Sequence, residues 1–165
     1  MSDRFPDFMP VSLRIAGRRL LVVGGGRTAL HKTALLTRFT HGITVISPQF
    51  HEDFSLLPCR TVRKTYCADD LEGFFLVYAC TDDGELNALI RRDAAQRGIP
   101  ASVCDSPALC DFISPAIYKH ENITVAVSSD ARDVRRSIRI RDRIRQLIEE
   151  GLINIDKDDK LPSDQ

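Results

Sequence analysis

The sequence predicts an α/β protein with a doubly wound parallel sheet, followed by a small α+β segment. Short apolar runs typical of buried strands alternate with segments of helical periodicity. Glycine, proline and polar residues separate these segments from one another. A strand, a helix and a parallel strand form a right-handed crossover, so this alternation places helices on both faces of the sheet.

The first part of the chain supplies the first strands and the first helix. Residues 11–15 suggest a short strand, and a turn then leads into the buried strand of "RRLLVVGG". Apolar residues at helical spacing predict a helix over 27–40. A second buried strand at 42–47 is stopped by Pro48. The next segment is less regular, and "RTVRKTY" is a candidate third strand.

Two further strands enclose a second helix. The continuous apolar run at 74–80 is typical of a parallel strand covered on both faces. The stretch "TDDGELNALIRRDAAQRG" predicts a helix, with Thr81 or an adjacent aspartate as its N-cap and Gly98 just past its end. We assign the two aspartates after Thr81 to the helix dipole. Residues 100–105 form another short buried strand.

The character of the chain changes near residue 112, where we place a domain boundary. Residues 1–112 form the sheet domain. Residues 113–150 contain two strands around a polar turn at "KHEN" and then an arginine-rich helix. Residues 151–165 form a polar tail.

The composition argues against several classes of protein. The 165 residues are 43% hydrophobic and carry no formal net charge, so no overall charge favours nucleic acid or an anionic membrane. No apolar run approaches the roughly 20 residues of a membrane helix, and the N-terminus lacks the apolar region of a secretory signal. The five cysteines form no CxxC pair and the histidines are scattered, so we expect neither a disulfide framework nor a metal site. We predict a cytoplasmic protein.

A glycine-rich turn joins the first buried strand to the first helix. Gly24, Gly26 and Ala29 match the pattern G-x-G-x-x-[GA] in its strand–turn–helix context. In that pattern one glycine permits the tight turn, the next admits a pyrophosphate, and the small third residue lets the helix pack closely. The free N–H groups at the helix N-terminus then face the anion. We predict a Rossmann-type dinucleotide site; the alternative is a tight turn without a ligand.

The second strand ends at Ser47, where an acidic residue would bind the ribose hydroxyls of NAD. The sequence places no arginine beside it for the 2′-phosphate of NADP. Position alone therefore does not separate the two cofactors. Ser47 either hydrogen-bonds a ribose hydroxyl or shapes the turn before Pro48.

Two further features of the sequence are candidates for a catalytic or binding role. Asp105 ends a predicted parallel strand, where it either takes a proton during hydride transfer or caps a turn in "DSP". Seven arginines lie between 132 and 145, and five apolar residues of the same segment supply a buried side. The arginines form a solvated helix face, bind carboxylates, or meet a phosphate backbone. The apolar residues are Ile138, Ile140, Ile144, Leu147 and Ile148.

Four stretches together resemble the precorrin-2 dehydrogenase and sirohydrochlorin ferrochelatase family, which forms the N-terminal region of siroheme synthase. They are "VVGGGRTALHKTALL", "ACTDDGELNALI", "ASVCDSPALCDFISPAI" and "ITVAVSS", in the family order and spacing. The resemblance implies NAD-dependent oxidation of precorrin-2 to sirohydrochlorin, and some members also insert ferrous iron. It also implies a Rossmann domain, a dimerisation segment and a homodimer.

The resemblance assigns roles to individual residues. It implies that Asp105 is the functional aspartate and that Ser128 opens the substrate-side loop. Because precorrin-2 carries carboxylates, we add Arg132 and Arg136 as substrate-binding candidates. The cofactor-binding residues that it implies are Gly24, Gly26, Arg27 and Thr28 at the pyrophosphate, Ser47 and Pro48 near the adenosine, and Thr81 at the nicotinamide pocket.

The chain departs from the family pattern in the loop "SSDARDV". Asp130 and Ala131 replace two family glycines, and Asp133 and Val134 replace a Ser-Pro pair. If the loop touches the tetrapyrrole carboxylates, the two new acids would repel them. The alternative to an enzyme is therefore a module of the same fold that binds NAD(H) for regulation or sensing, without turnover.

Overall fold

The computed structural model describes residues 7–104 and 106–155. The chain forms two compact units. The first, called the sheet unit, comprises residues 11–113. The second, called the hairpin unit, comprises residues 7–10 and 114–155 among those described.

Five parallel strands form the sheet of the first unit. In chain order they are β1 (Leu20–Val23), β2 (Ile43–Ser47), β3 (Arg60–Arg63), β4 (Leu76–Ala79) and β5 (Ala101–Val103). Their order in the sheet is β3-β2-β1-β4-β5, with every neighbouring pair parallel. The predicted doubly wound parallel sheet is confirmed. All five carboxyl ends lie at one edge, and the order reverses beside β1, which is where open α/β sheets bind ligands.

The crossover helices are α1 (Arg27–Leu36) and α2 (Gly84–Gln96). Residues at alternate positions of a strand face opposite sides of the sheet. Both sides are covered by packed residues here, so the strands are continuously hydrophobic. Leu20 and Val22 pack with Ala29 and Leu30 of α1 in one core cluster. The intervening strand residues pack with Ile90 and Ala94 of α2 in a second cluster. Each central strand therefore buries both of its faces.

The structure differs from two local expectations. Residues 11–15 form no strand, although the predicted turn is present, with Gly17 at φ +72°. Both edges of β1 are paired with other strands, so β1 offers no edge to an extended segment before it. Helix α1 also ends at Leu36, earlier than the sequence pattern suggests.

The hairpin unit contains β6 (Ala116–His120), β7 (Ile123–Val127) and α3 (Val134–Glu149). The two strands are antiparallel, and α3 packs against both of them. Asp133 caps α3, because its carboxylate accepts a hydrogen bond from the Arg136 backbone N–H at 2.8 Å. In the described ranges, no helix has the length and apolar character needed to cross a bilayer.

Helix α3 buries less of its apolar side than the sequence predicts. Ser137 is its one buried residue in the described structure. Ile138 and Ile140 remain 40% and 41% exposed, and the three later apolar residues are half-buried. A ribbon of two strands is too narrow to cover a helix of 16 residues. The prediction of a buried side is therefore wrong for the first two isoleucines within this chain alone.

A carboxylate ties the segment after β5 to the sheet. Asp111 accepts hydrogen bonds from the Ala101 backbone N–H at 3.0 Å and from the Arg91 guanidinium at 2.6 Å. Arg91 also donates to the Leu109 carbonyl at 3.0 Å. These contacts fix the loop that follows residue 105 against β5 and α2.

Replacing Asp111 with alanine should therefore loosen this loop. The change leaves a backbone donor and a guanidinium without their acceptor, which costs about 1–3 kcal/mol of the free energy of unfolding. Urea denaturation measures the loss, and amide hydrogen exchange should quicken at Ala101. Asp69→Ala is the matched control, since this carboxylate is 93% exposed and lies 3.5 Å from Arg97. Equal stability losses in both variants would contradict the expectation.

Candidate functional site

The turn between β1 and α1 leaves no room for two side chains. A Cβ atom on Gly24 would lie 2.4 Å from the Cys80 carbonyl oxygen, and Gly24 adopts a φ of +126°. A Cβ on Gly25 would lie 1.9 Å from the Gln49 carbonyl oxygen. Packing alone therefore requires the first two glycines.

Gly26 differs from both. A Cβ there would meet no atom of the described residues within 4 Å, and its φ of −83° and ψ of −171° are open to any residue. Gly26 is also the N-cap of α1, and no side chain caps the helix. Open space thus faces the N–H groups and the positive dipole end at the start of α1, which suits a phosphate.

The residues around this space match the remaining parts of the pattern. Ala29 is fully buried, so α1 lies close to the strands. Arg27 and Thr28 form the first two positions of α1 and are exposed. The sequence motif and the open N-terminus of α1 therefore coincide.

Ser47 ends β2 and lies against the turn. Its side chain is close enough that a Cβ on Gly25 would approach Oγ at 2.7 Å, and Pro48 beside it is exposed. The Gly25 carbonyl accepts a hydrogen bond from the His51 backbone N–H at 2.8 Å, which closes the segment after β2 onto the turn. Ser47 thus lies at the carboxyl end of β2, directly beside the glycine turn.

Thr81 follows β4 at the same edge of the sheet, held by a residue that the sequence analysis missed. The Asn87 side-chain oxygen accepts from the Thr81 hydroxyl at 2.8 Å and from its backbone N–H at 3.1 Å. The Asn87 amide donates back to the Thr81 carbonyl at 3.0 Å. Asp83, not Thr81, caps α2, through bonds from Glu85 and Leu86. Asn87 is buried within α2, and no residue pattern marks it as a partner of Thr81.

The carboxyl ends of β4 and β5 meet next to Thr81. The sulfur atoms of Cys80 and Cys104 approach to 2.6 Å there. The proposed catalytic residue Asp105 lies outside the described residues. Beyond it, Cys110 Sγ accepts from the Val103 N–H at 3.2 Å and so fastens the returning loop to β5.

The hairpin unit contains the remaining candidates. Asp130 does not project as a free charge, because it accepts bonds from the Phe8 and Asp7 backbone N–H groups at 2.8 Å and 3.2 Å. Arg132 pairs with it at 2.9 Å. The Ser128 hydroxyl accepts a long bond from the Asp130 N–H at 3.4 Å. With Asp133 capping α3, both new acids of the loop are already engaged.

The arginines of this unit differ in their partners, and Arg143 donates to the Gln146 side-chain oxygen at 3.0 Å. Arg132, Arg141 and Arg145 form ion pairs with neighbouring carboxylates. Within the described part of the chain, Arg135, Arg136 and Arg139 form none. These three side chains lie on exposed residues near the start of α3 and keep their donors for another acceptor.

The parallel sheet, the glycine turn and the open N-terminus of α1 define a nucleotide-binding α/β domain of the Rossmann type. A family model described as "Putative NAD(P)-binding" matches residues 11–116. The chain belongs to this family.

Curated relatives carry the name siroheme synthase. The one from Pseudomonas aeruginosa is 42% identical over 139 residues, which cover 81% of this chain and 30% of the relative. The one from Methylobacillus flagellatus is 36% identical over 146 residues, which cover 86% and 31%. The chain thus spans about three tenths of their length. The resemblance recognised in the sequence is confirmed.

A solved structure, "SirC, precorrin-2 dehydrogenase", has the same fold. It superposes with a TM-score of 0.65 at 22% sequence identity, covering 87% of this chain and 71% of that one. This likeness supports the fold assignment.

Gly26→Val should separate binding from folding. The valine side chain would enter the space where a phosphate fits, so NAD⁺ affinity measured by calorimetry should fall below detection. The free energy of unfolding should change by only about 1 kcal/mol, because a Cβ at that position would contact none of the residues that the structure describes.

Gly24→Ala provides the opposite case. A Cβ there would press on the backbone that follows β4, at a positive φ, so urea denaturation should show a loss of about 2–4 kcal/mol in the free energy of unfolding.

Unchanged NAD⁺ affinity in Gly26→Val would contradict the assignment of the space beside Gly26 to a phosphate.

Proposed function

We propose that the chain is an NAD-dependent dehydrogenase that oxidises precorrin-2 to sirohydrochlorin in siroheme biosynthesis. The observation that carries the proposal is Gly26, a glycine that neither packing nor backbone geometry requires, at an uncapped helix N-terminus. The names of the relatives supply the substrate.

The residues fit the cofactor. Gly24, Gly26, Arg27 and Thr28 would hold the pyrophosphate, because α1 offers N–H groups that no side chain caps. Ser47 with Pro48 would lie at the adenosine, and Thr81 would border the nicotinamide. When bound, NAD⁺ supplies a hydride acceptor.

The protein would supply the matching proton acceptor. Oxidation removes a hydride and a proton from precorrin-2, and a positioned side chain that accepts the proton would speed the step. We assign that role to Asp105. The β5 strand before it is fully buried, and Asp111 and Cys110 tie the loop after it to the sheet.

The carboxylates of the substrate require cations. Arg136 is the leading candidate, together with Arg135 and Arg139, because these guanidinium groups form no ion pair among the described residues. Planar guanidinium groups bind carboxylates in a bidentate manner. Ser128 and Arg132 complete the proposed set, with Arg132 exchanging Asp130 for a substrate carboxylate.

We propose that residues 1–112 bind the cofactor, that residues 113–150 form a homodimer, and that residues 151–165 are a polar tail. The exposed apolar residues of α3 support the dimer, since Val134 and Ile138 lie one turn apart at 61% and 40% exposure. We also propose a cytoplasmic location, because Cys59, Cys67 and Cys110 form no disulfide in the described structure.

The homodimer should be visible in sedimentation. The expected mass is about twice the 18.5 kDa of the chain at micromolar concentration. Val134→Glu with Ile138→Glu should reduce it to the monomer, because charges in an apolar contact cannot be desolvated cheaply. Leu56→Glu is the matched control, since Leu56 is an equally apolar residue, 78% exposed in the sheet unit. A monomeric wild type would contradict the proposal.

The reaction is tested directly with precorrin-2 and NAD⁺ under anaerobic conditions. Formation of NADH and of the more conjugated product should appear together in the absorption spectrum. Asp105→Asn keeps the shape but removes the base, so the rate should fall about 10²–10⁴-fold while NAD⁺ affinity is retained.

Two other results would be decisive. Tight NAD⁺ binding without turnover in the wild type would identify the chain as a regulatory or sensing module. Full activity in Asp105→Asn would leave the dehydrogenase but assign the proton to another group.

A further inference from the structure

An arginine that the sequence analysis passed over lies beside the end of β2. In the parallel register of β2 and β3, Ser47 is paired with Arg63. Adjacent strands lie about 4.8 Å apart, and paired residues point to the same face of the sheet. Since Ser47 Oγ lies against the glycine turn, that face is the one that the turn occupies. The Cα atom of Arg63 therefore lies next to the adenosine end of the proposed site.

The guanidinium group of Arg63 has no carboxylate partner among the described residues. It is exposed and forms no ion pair there. The next cation, Lys64, is committed to Asp70, with Nζ 2.7 Å from the carboxylate. Arg63 is thus the cation at this corner that keeps its donors available.

Two acids that follow β2 and β3 in the chain, Asp53 and Asp70, have partners of their own. Burial opposes ionisation of Asp70, but hydrogen bonds from Lys64 and the Cys67 backbone outweigh it and lower its pKa. Asp53 lies 3.5 Å from His51. No carboxylate occupies the end of β2 itself, where Ser47 stands.

We propose that Arg63 makes this corner a receptor for a 2′-phosphate, so that the chain binds NADP in addition to NAD. This inference rests on the proposed dinucleotide site. A carboxylate at the end of β2 would bind the ribose hydroxyls and repel a phosphate, whereas the Ser47 hydroxyl can donate a hydrogen bond to one. The Arg63 guanidinium can add two charge-assisted bonds in its planar geometry.

The test uses the full chain and two adenosine nucleotides, without turnover. Calorimetry compares 2′,5′-ADP with 5′-AMP, which lacks the 2′-phosphate. The wild type should bind 2′,5′-ADP up to about 10-fold more tightly, a margin that leaves NAD⁺ able to bind, and the difference should shrink as salt is added. Arg63→Gln should abolish the difference and leave 5′-AMP affinity unchanged. Arg63→Lys should retain part of it, since the charge remains but the bidentate geometry is lost.

Arg60→Gln is the matched control. Arg60 begins the same strand, is equally exposed, and lies about 10 Å away on the other face. It should leave both affinities unchanged.

The outcomes separate this inference from the proposed function. Equal affinity for the two nucleotides in the wild type, or an unchanged preference in Arg63→Gln, would overturn the role of Arg63 while the dinucleotide site stands. Binding of neither nucleotide, nor of NAD⁺, would overturn the site itself and this inference with it.

Discussion

The close backbone contact between the glycine turn and the ends of β4 and β2 is the constraint on which the site depends. Gly24 donates to the Ile46 carbonyl at 2.9 Å, and Cys80 donates to the Val23 carbonyl at 2.8 Å. These bonds leave space for hydrogen atoms only at positions 24 and 25. The ends of β1, β2 and β4 therefore meet at one turn.

The supporting contacts come from residues behind that edge. Asn87 holds Thr81 through three hydrogen bonds from inside α2, while Asp83 caps the same helix. Asp111 and Cys110 fasten the loop after β5 in the same way. A site built on strand ends in this manner can keep its geometry during ligand binding and release, because the elements that position it have their own buried core.

Local patterns predicted the sheet because both faces of its central strands are buried. The runs around β1, β2 and β4 are continuously apolar for that reason, and the glycine motif lies within a few residues of its strand and helix. Residues 11–15 show why periodicity alone is insufficient, since a strand also needs an edge to join.

The contacts that the sequence analysis missed join neighbouring strands or residues that are far apart in the sequence. The pairing of Ser47 with Arg63 depends on register, which no local pattern specifies. Asp130 binds the backbone of Phe8 across 122 positions of sequence. Its loop, which departs from the family pattern, thereby gains a structural explanation that the sequence could not supply.

The position of β1 has a consequence for how the chain reaches this structure. β1 is made first, yet it lies at the centre of the sheet between β2 and β4. During synthesis it can pair with β2 early, but its other edge stays open until residues 76–79 emerge. A growing chain thus carries an unpaired apolar edge for much of its length, and such edges are where strands of neighbouring molecules can add. Translation that slows before β4 should therefore lower the yield of folded protein more than a pause after β4.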